Sequence, residues 1–278
     1  MDTLSLTSKV VFVLSDGLRY DAAIEGMGFL MHLVEQKYAT LYKVIGELPT
    51  LSRPMYETIH TGVPVIEHGV VSNATSRLSK MPNIFQLAVQ AGKTTAAVAY
   101  YWFAELYHRA PHDKIEDREI DDLSSPIQHG RFYTQDDYPD VECFATAAML
   151  VRRYHPDYLL VHPSGMDWIG ETLGSDTPEY RRMATRQDSL LANFIPEWLE
   201  RGYTVLVGSD HGINANRSHG GTTADVREVP LFIVHPKRSG VGVVPSTISM
   251  LQIAPTICTL LGLALPDTMK MPPLLFKG

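Results

Sequence analysis

The chain has 278 residues, 24 Lys and Arg against 31 Asp and Glu for a formal net charge of -7, and is 45% hydrophobic and 20% charged. That balance suits a folded α/β chain with a sizeable core, and it excludes a nucleic-acid polymer or an anionic membrane as a bulk partner, so any anion must be drawn by a bound cation or a few arginines. The N-terminal MDTLSLTSKV lacks the basic and long apolar parts of a leader, and no run is long enough to span a bilayer, so a cytoplasmic protein without membrane attachment is expected.

Lys9–Leu14, KVVFVL, is a continuous apolar run of the kind that fills the middle of a parallel sheet, and it ends in Ser15, Asp16 and Gly17. Asp16 either caps the helix expected over 18–34 or stands as an acid at the carboxyl end of a strand, where open α/β sheets place their sites. A strand is expected over 39–46, followed by ELPTLSRPMYETIHTG. Ser52 falls at an N-cap position before Pro54 and a helical pattern. It reads either as a cap or as a nucleophile beside the anion-attracting start of a helix, and Arg53 either as a phosphate holder or as surface charge.

Residues 63–73 read as a loop and short strand, with His68 structural. A helix over 81–91 leads to a buried strand over 94–99 and then to Tyr100, Tyr101, Trp102 and Phe103, which serve either as core or as one wall of a substrate pocket. The charged, proline-bearing stretch within 104–139 is expected to be a small cap inserted over the sheet of a single 1–278 domain. Cys143 and Cys258 lie far apart in apolar helical patterns and read as reduced core residues.

Asp140–Tyr154 has a helical period, and 158–162 is another buried strand, followed by PSGMDWIGE. There Asp167 and Glu171 lie four apart on either side of a glycine turn, so both can point at one centre; otherwise they are a loop acid and a helix-starting acid. A long helix over 178–198 feeds the most informative stretch, YTVLVGSDHGINANRSHGG at 203–221. A buried strand here ends in Asp210 and His211, with His219 eight residues on, three metal-competent side chains in a loop that Gly212 and Gly220 let fold tightly. Asp16 and Asp210, each at a strand end after Ser, could converge on one cation. A sixth strand over 229–234 and a closing helix over 247–263, interrupted by Pro255, complete a pattern that predicts a mostly parallel sheet with helices on both faces.

On these residues the chain resembles the alkaline phosphatase superfamily, most closely its nucleotide pyrophosphatase/phosphodiesterase and phosphonoacetate hydrolase branch. PTLSRP and TGVPVIEHGV match the branch's nucleophile region and select Ser52. SDHG with the later histidine matches its metal loop, Tyr101-Trp102 its aromatic step, and IAPTICTLLGLALP its closing segment. The resemblance implies two divalent metal ions, zinc or else manganese. One would lie on Asp16, Ser52, Asp210 and His211, the other on Asp167, Glu171 and His219, with Ser52 and Arg53 catalytic and Tyr101 and Trp102 touching substrate.

Two departures stand out. Glu171 replaces the usual histidine, favouring a harder ion such as manganese, and Met55 replaces the asparagine expected to hold the oxyanion. The expected function is a dinuclear hydrolase of phosphodiesters, nucleotide pyrophosphates or phosphonates acting through a phosphoseryl intermediate. The alternatives are a phosphomonoesterase or sulfatase of the same superfamily, or a non-catalytic metal-dependent phospho-ligand-binding protein. Tyr56 stands where the sulfatase pattern has Arg. The expected partner is a small phosphorylated or phosphonate substrate, and a homodimer is left open.

Overall fold

Residue alternation along the central strand decides how the layers assemble. In the computed structural model, which describes residues 7–274, β1 (Lys9–Leu14) buries Val10, Phe12 and Leu14 in one apolar cluster and Val11 and Val13 in the other. Both faces of the sheet are therefore covered. After β1 come α1 (Tyr20–Gly26), α2 (Gly28–Glu35), β2 (Ala39–Ile45), α3 (Ser52–Thr61), α4 (Val65–His68), α5 (Ile84–Gln90), β3 (Thr95–Tyr100) and α6 (Trp102–Tyr107). Then follow β4 (Glu119–Asp121), β5 (His129–Tyr133), α7 (Asp140–Tyr154), β6 (Tyr158–Val161), α8 (Gly165–Leu173), α9 (Pro178–Glu200) and β7 (Tyr203–Gly208). The chain closes with α10 (Ala224–Arg227), β8 (Glu228–Val234), β9 (Gly242–Val243), β10 (Ile248–Ser249), a 3-10 turn at Met250–Gln252 and α11 (Ile253–Leu260).

These strands form one sheet in the order β10-β2-β8-β7-β1-β6-β3-β5-β4, with β9 also on β2. Pairing is parallel except where β8 meets β2 and β7 and where β4 meets β5. The expected mostly parallel α/β sheet is present. The registers Val13↔Val161 and Leu14↔Gly208 bring the carboxyl ends of β6, β1 and β7 to one level, so the loops after three adjacent strands face one another.

Several local expectations are corrected. The helix expected over 18–34 is two helices broken at Met27, because the Asp188 carboxylate of α9 caps the amides of Phe29 and Leu30 at 2.7 and 3.1 Å and starts α2 afresh. No strand forms in 63–73; the helical turn α4 lies there instead. His68 is buried, receiving the Val70 amide on Nδ1 at 3.0 Å and donating from Nε2 to Thr58 Oγ1 at 3.0 Å. Part of the segment 104–139, expected as a cap, instead continues the sheet: its strands β5 and β4 extend it beyond β3. Both cysteines are buried and free. No helix of the described residues is long and apolar enough to cross a membrane. The first six residues of the stretch read for a leader lie outside the described residues.

Candidate active site

Asp16 leaves β1, Asp210 and His211 leave β7, and Asp167 sits on α8 after β6. Gly17 lets the first of these loops close: its φ is +76°, and a Cβ there would lie 2.8 Å from the Asp167 Cα. Its amide donates to Asp210 Oδ1 at 3.2 Å, which turns Asp210 Oδ2 inward. Gly212 has a similar steric role, since a Cβ would meet the Asp225 carbonyl oxygen at 2.1 Å. The other loop is fixed from beneath, where Asp140 receives the Gly165 amide at 3.1 Å and the Gln187 amide group at 2.8 Å.

Asp16, Asp210 and His211 are buried, and His211 Nε2 lies 3.4 Å from Asp16 Oδ1 and 3.3 Å from Asp210 Oδ2. The His211 Nδ1–H donates to the Gly212 carbonyl at 3.2 Å, so Nε2 carries the lone pair. Burial, and then the charge of His219, push the His211 pKa down to about 3, which keeps the ring neutral. The His211 lone pair and one oxygen each of Asp16 and Asp210 therefore face one another. Asp16 Oδ1, Asp210 Oδ2 and Asp167 Oδ1 are all buried without a hydrogen-bond donor.

Burial pushes the Asp210 and Asp167 carboxyls well above the usual carboxylate range, helped at both by the Asp16 charge and at Asp167 also by Glu171 and Asp210. Burial works in the same direction on Asp16, but the His162 hydrogen bond, the nearby His211 and His162 rings and the Tyr56 bond together hold it well below that range. A cluster of like charges with orphaned oxygens is relieved by a cation, and an oxygen and imidazole donor set suits a hard or borderline divalent ion.

A second group, Asp167, His211 and His219, offers ligand atoms within 4.8 Å of one another. This differs from the expected trio: Glu171 is set aside from that group and instead receives His219 Nε2 at 3.0 Å. His219 donates from Nδ1 to the Thr50 carbonyl at 3.0 Å and stacks on His211 at 3.9 Å between centroids. Burial lowers the His219 pKa, but the Glu171 and Thr50 bonds prevail and raise it. Asp167 and Glu171 do not flank a glycine turn. Both ride on α8 one turn apart, with Gly170 packed against Ile213.

Ser52 is the first residue of α3 and not its cap, which is Leu51. Its hydroxyl makes no capping bond and instead lies 3.1 Å from His211 Nε2. Ser52 lines a cavity of about 180 Å³ together with Asp16, Tyr56, Asn73, Trp102, Asp167, Glu171 and His219. Met55 points into the core. Asn73 accepts the Arg53 amide on Oδ1 at 3.0 Å, which leaves its side-chain NH₂ for the cavity.

Arg53 fits neither sequence reading. It is buried, paired with Glu105 at 2.6 Å, bonded to the Thr75 carbonyl at 2.8 Å and laid over the Trp102 ring at 4.6 Å. It is absent from the cavity lining because its charge is directed to Glu105. Trp102 faces the cavity as expected, but Tyr101 does not: its ring packs near His112, and Tyr100 lines the cavity in its place.

Sequence reasoning missed Tyr56, His162 and Asn73. The Tyr56 hydroxyl and His162 Nε2, the latter at 3.1 Å, both bond Asp16 Oδ2 and leave only Oδ1 facing the cluster. His162 is itself gripped by the Tyr133 hydroxyl, 2.9 Å from Nδ1. The available signal was a histidine directly at the end of a buried strand, and a tyrosine one helical turn beyond Ser52.

The type I phosphodiesterase / nucleotide pyrophosphatase family matches residues 10–230. The catalytic subunit of human GPI ethanolamine phosphate transferase 2 is 25% identical over 278 residues, covering 94% of this chain and 27% of its own length. The chain thus spans about a quarter of that relative. In fold, it is similar to murine ectonucleotide pyrophosphatase/phosphodiesterase 5, with a TM-score of 0.72, 14% identity and coverage of 93% of this chain and 96% of that one. Phosphonoacetate hydrolase from Sinorhizobium meliloti 1021 gives a TM-score of 0.55 at 22% identity, over 74% of this chain and 57% of its own.

Proposed function

Because the chain belongs to the type I phosphodiesterase / nucleotide pyrophosphatase family of the alkaline phosphatase superfamily, we propose that it cleaves a small phosphodiester, nucleotide pyrophosphate or phosphonate through a phosphoseryl intermediate on Ser52. The observation that carries this reading is the convergence of three donorless, buried carboxylate oxygens beside a hydroxyl that opens a helix. Asp16, Asp210 and His211 would hold one divalent ion, and Asp167 and His219 a second, with Glu171 close enough to His219 to exchange that bond for a ligand role. Zinc or manganese bound there would lower the pKa of the Ser52 hydroxyl and neutralise phosphoryl charge.

The chain's own part is positional. Ser52 attacks phosphorus, its Oγ–P bond forming as the ester P–O bond breaks and the alcohol leaves. The Ser52 amide, which has no acceptor among the described residues, and the free Asn73 NH₂ are placed to receive the non-bridging oxygens. Trp102 and Tyr100 wall the cavity at the end of β3. A water then attacks the phosphoseryl group and frees Ser52.

A second reading is favoured by the relative named an ethanolamine phosphate transferase: the acceptor in the last step is an alcohol rather than water. Ser52→Ala tests the shared chemistry. It should abolish turnover of bis(para-nitrophenyl) phosphate while metal content stays near wild type; full activity would remove Ser52 from the mechanism. Adding glycerol or ethanolamine then separates the readings, since a transferase diverts product into a new phosphodiester.

A further inference from the structure

A larger cavity, of about 420 Å³, lies towards the β5–β4 end of the sheet, lined by β5, α7 and the stretch leading into β4. It shares no lining residue with the catalytic cavity. The stacked pair Tyr133 and Tyr138, 4.5 Å between centroids and 7° from parallel, lines the larger cavity, and the Tyr133 hydroxyl meets His162 of the catalytic one, 2.9 Å from Nδ1. The larger cavity is lined by Lys114, Arg118, Arg131 and Arg153 against the single acid Glu119, in a chain whose net charge is -7.

Arg131 is engaged by Asp121 at 2.8 Å and by Glu119 at 3.6 Å. Lys114, Arg118 and Arg153 form no ion pair with an acid among the described residues, and the Arg153 guanidinium lies 5.9 Å from the Tyr154 ring centroid. On a flat or convex surface such cations are simply solvated. Here they surround a concavity of the size that holds a phosphorylated small molecule, where their mutual repulsion raises the energy of the empty site and an anion lowers it. The Arg118 and Arg153 guanidinium groups, one from the stretch before β4 and one from α7, can each grip phosphate oxygens in pairs, and Tyr138, half-buried, adds a hydroxyl.

The geometry points to a second, non-catalytic site at Lys114, Arg118 and Arg153 for a small ligand bearing a pyrophosphate or two phosphate groups. It is independent of the chemistry proposed at Ser52. The test is calorimetric titration of the full chain with inorganic pyrophosphate, using wild type and the double variant Arg118→Ala/Arg153→Ala. Wild type should show an equivalent of binding that the double variant loses or weakens by about tenfold or more. Anion binding at the catalytic cavity and hydrolysis of bis(para-nitrophenyl) phosphate should stay unchanged.

All three positions are at the surface, so the variant should fold; a matching thermal melt and the single variant Lys114→Ala, with a smaller loss, check this. Unchanged stoichiometry and affinity in a folded double variant would overturn the site. Sedimentation with phosphatidylcholine vesicles, plain or carrying phosphatidic acid, identifies the source of the phosphate. Arg118- and Arg153-dependent retention on the acidic vesicles assigns a lipid-borne group, and retention on neither, alongside pyrophosphate binding, assigns a free metabolite.

Discussion

Replacing Tyr56 by Phe removes one oxygen and little else. The ring keeps its stack on Phe103, 4.2 Å between centroids, and its edge contact with His162 at 5.1 Å. What is lost is the hydroxyl that, with His162 Nε2 at 3.1 Å, occupies Asp16 Oδ2 and aims Oδ1 at the cluster with Asp210 and His211. A hydrogen bond to a buried charge is worth about 1.5–3 kcal/mol, and losing a group that orients a ligand weakens metal binding by about 10–100-fold, figures that agree with each other. Competition against a coloured zinc chelator, for zinc and separately for manganese, should show one equivalent weakened by that factor. The equivalent assigned to Asp167 and His219 should move by less than about threefold. If both equivalents keep wild-type affinity in the folded variant, Asp16 is not oriented through Tyr56 and the reasoning fails.

The remaining predictions concern burial and ligand type. Arg53→Met should cost about 3–5 kcal/mol in urea unfolding because Glu105 is left as an unpaired buried charge; a raised KM with unchanged stability would return Arg53 to the role of phosphate holder. Burial lowers the pKa of His60 to about 3 and that of His68 to about 4, from 6.5 in the unfolded chain. Between those values only the unfolded state takes up protons, so stability falls as pH drops from 6.5 towards 4, by roughly 2 kcal/mol or more from His68. Urea titrations at pH 7 and pH 4.5 should differ by that sign, and His68→Gln should flatten the slope; equal midpoints would contradict it. Glu171→His should shift metal preference from manganese towards zinc, read as the ratio of the two dissociation constants.

The site skeleton was legible because β1, β6 and β7 are buried on both faces, which forces continuous apolar runs and marks where each run stops. Asp16, Asp210 and His211 stand at those stops, and the structure gathers them. Ser52 was singled out by its motif, and the structure sets it 3.1 Å from His211 Nε2, although its helical position was misplaced by one residue, a difference no composition signal resolves. Tyr56 and His162 carried only a weak signal for a different reason: each acts through Asp16, and the pairings exist only once α3 and β6 both lie beside β1. Arg53 could not be placed without Glu105, which is 52 residues away and meets it only because α6 packs beside α3. Tyr101 and Tyr100 exchanged roles because the chain turns from β3 into α6 between them. β5 was missed because HGRFY carries Gly, His and Arg in place of an apolar run, and its polar members find their partner only in the fold, where Asp121 of β4 meets His129 Nδ1 at 2.7 Å and Arg131 at 2.8 Å.

The central claim is metal-dependent phosphoryl chemistry at Ser52. Its most direct test is hydrolysis of para-nitrophenyl phosphate, bis(para-nitrophenyl) phosphate and para-nitrophenyl phenylphosphonate by chelator-stripped protein, before and after zinc or manganese is restored. The account predicts no release when stripped, recovery with metal that is strongest on a diester or phosphonate, and none at any metal concentration for Ser52→Ala. Two bound metal equivalents with no release from any of the three esters, nor transfer to an added alcohol, would contradict it and leave a phospho-ligand-binding protein.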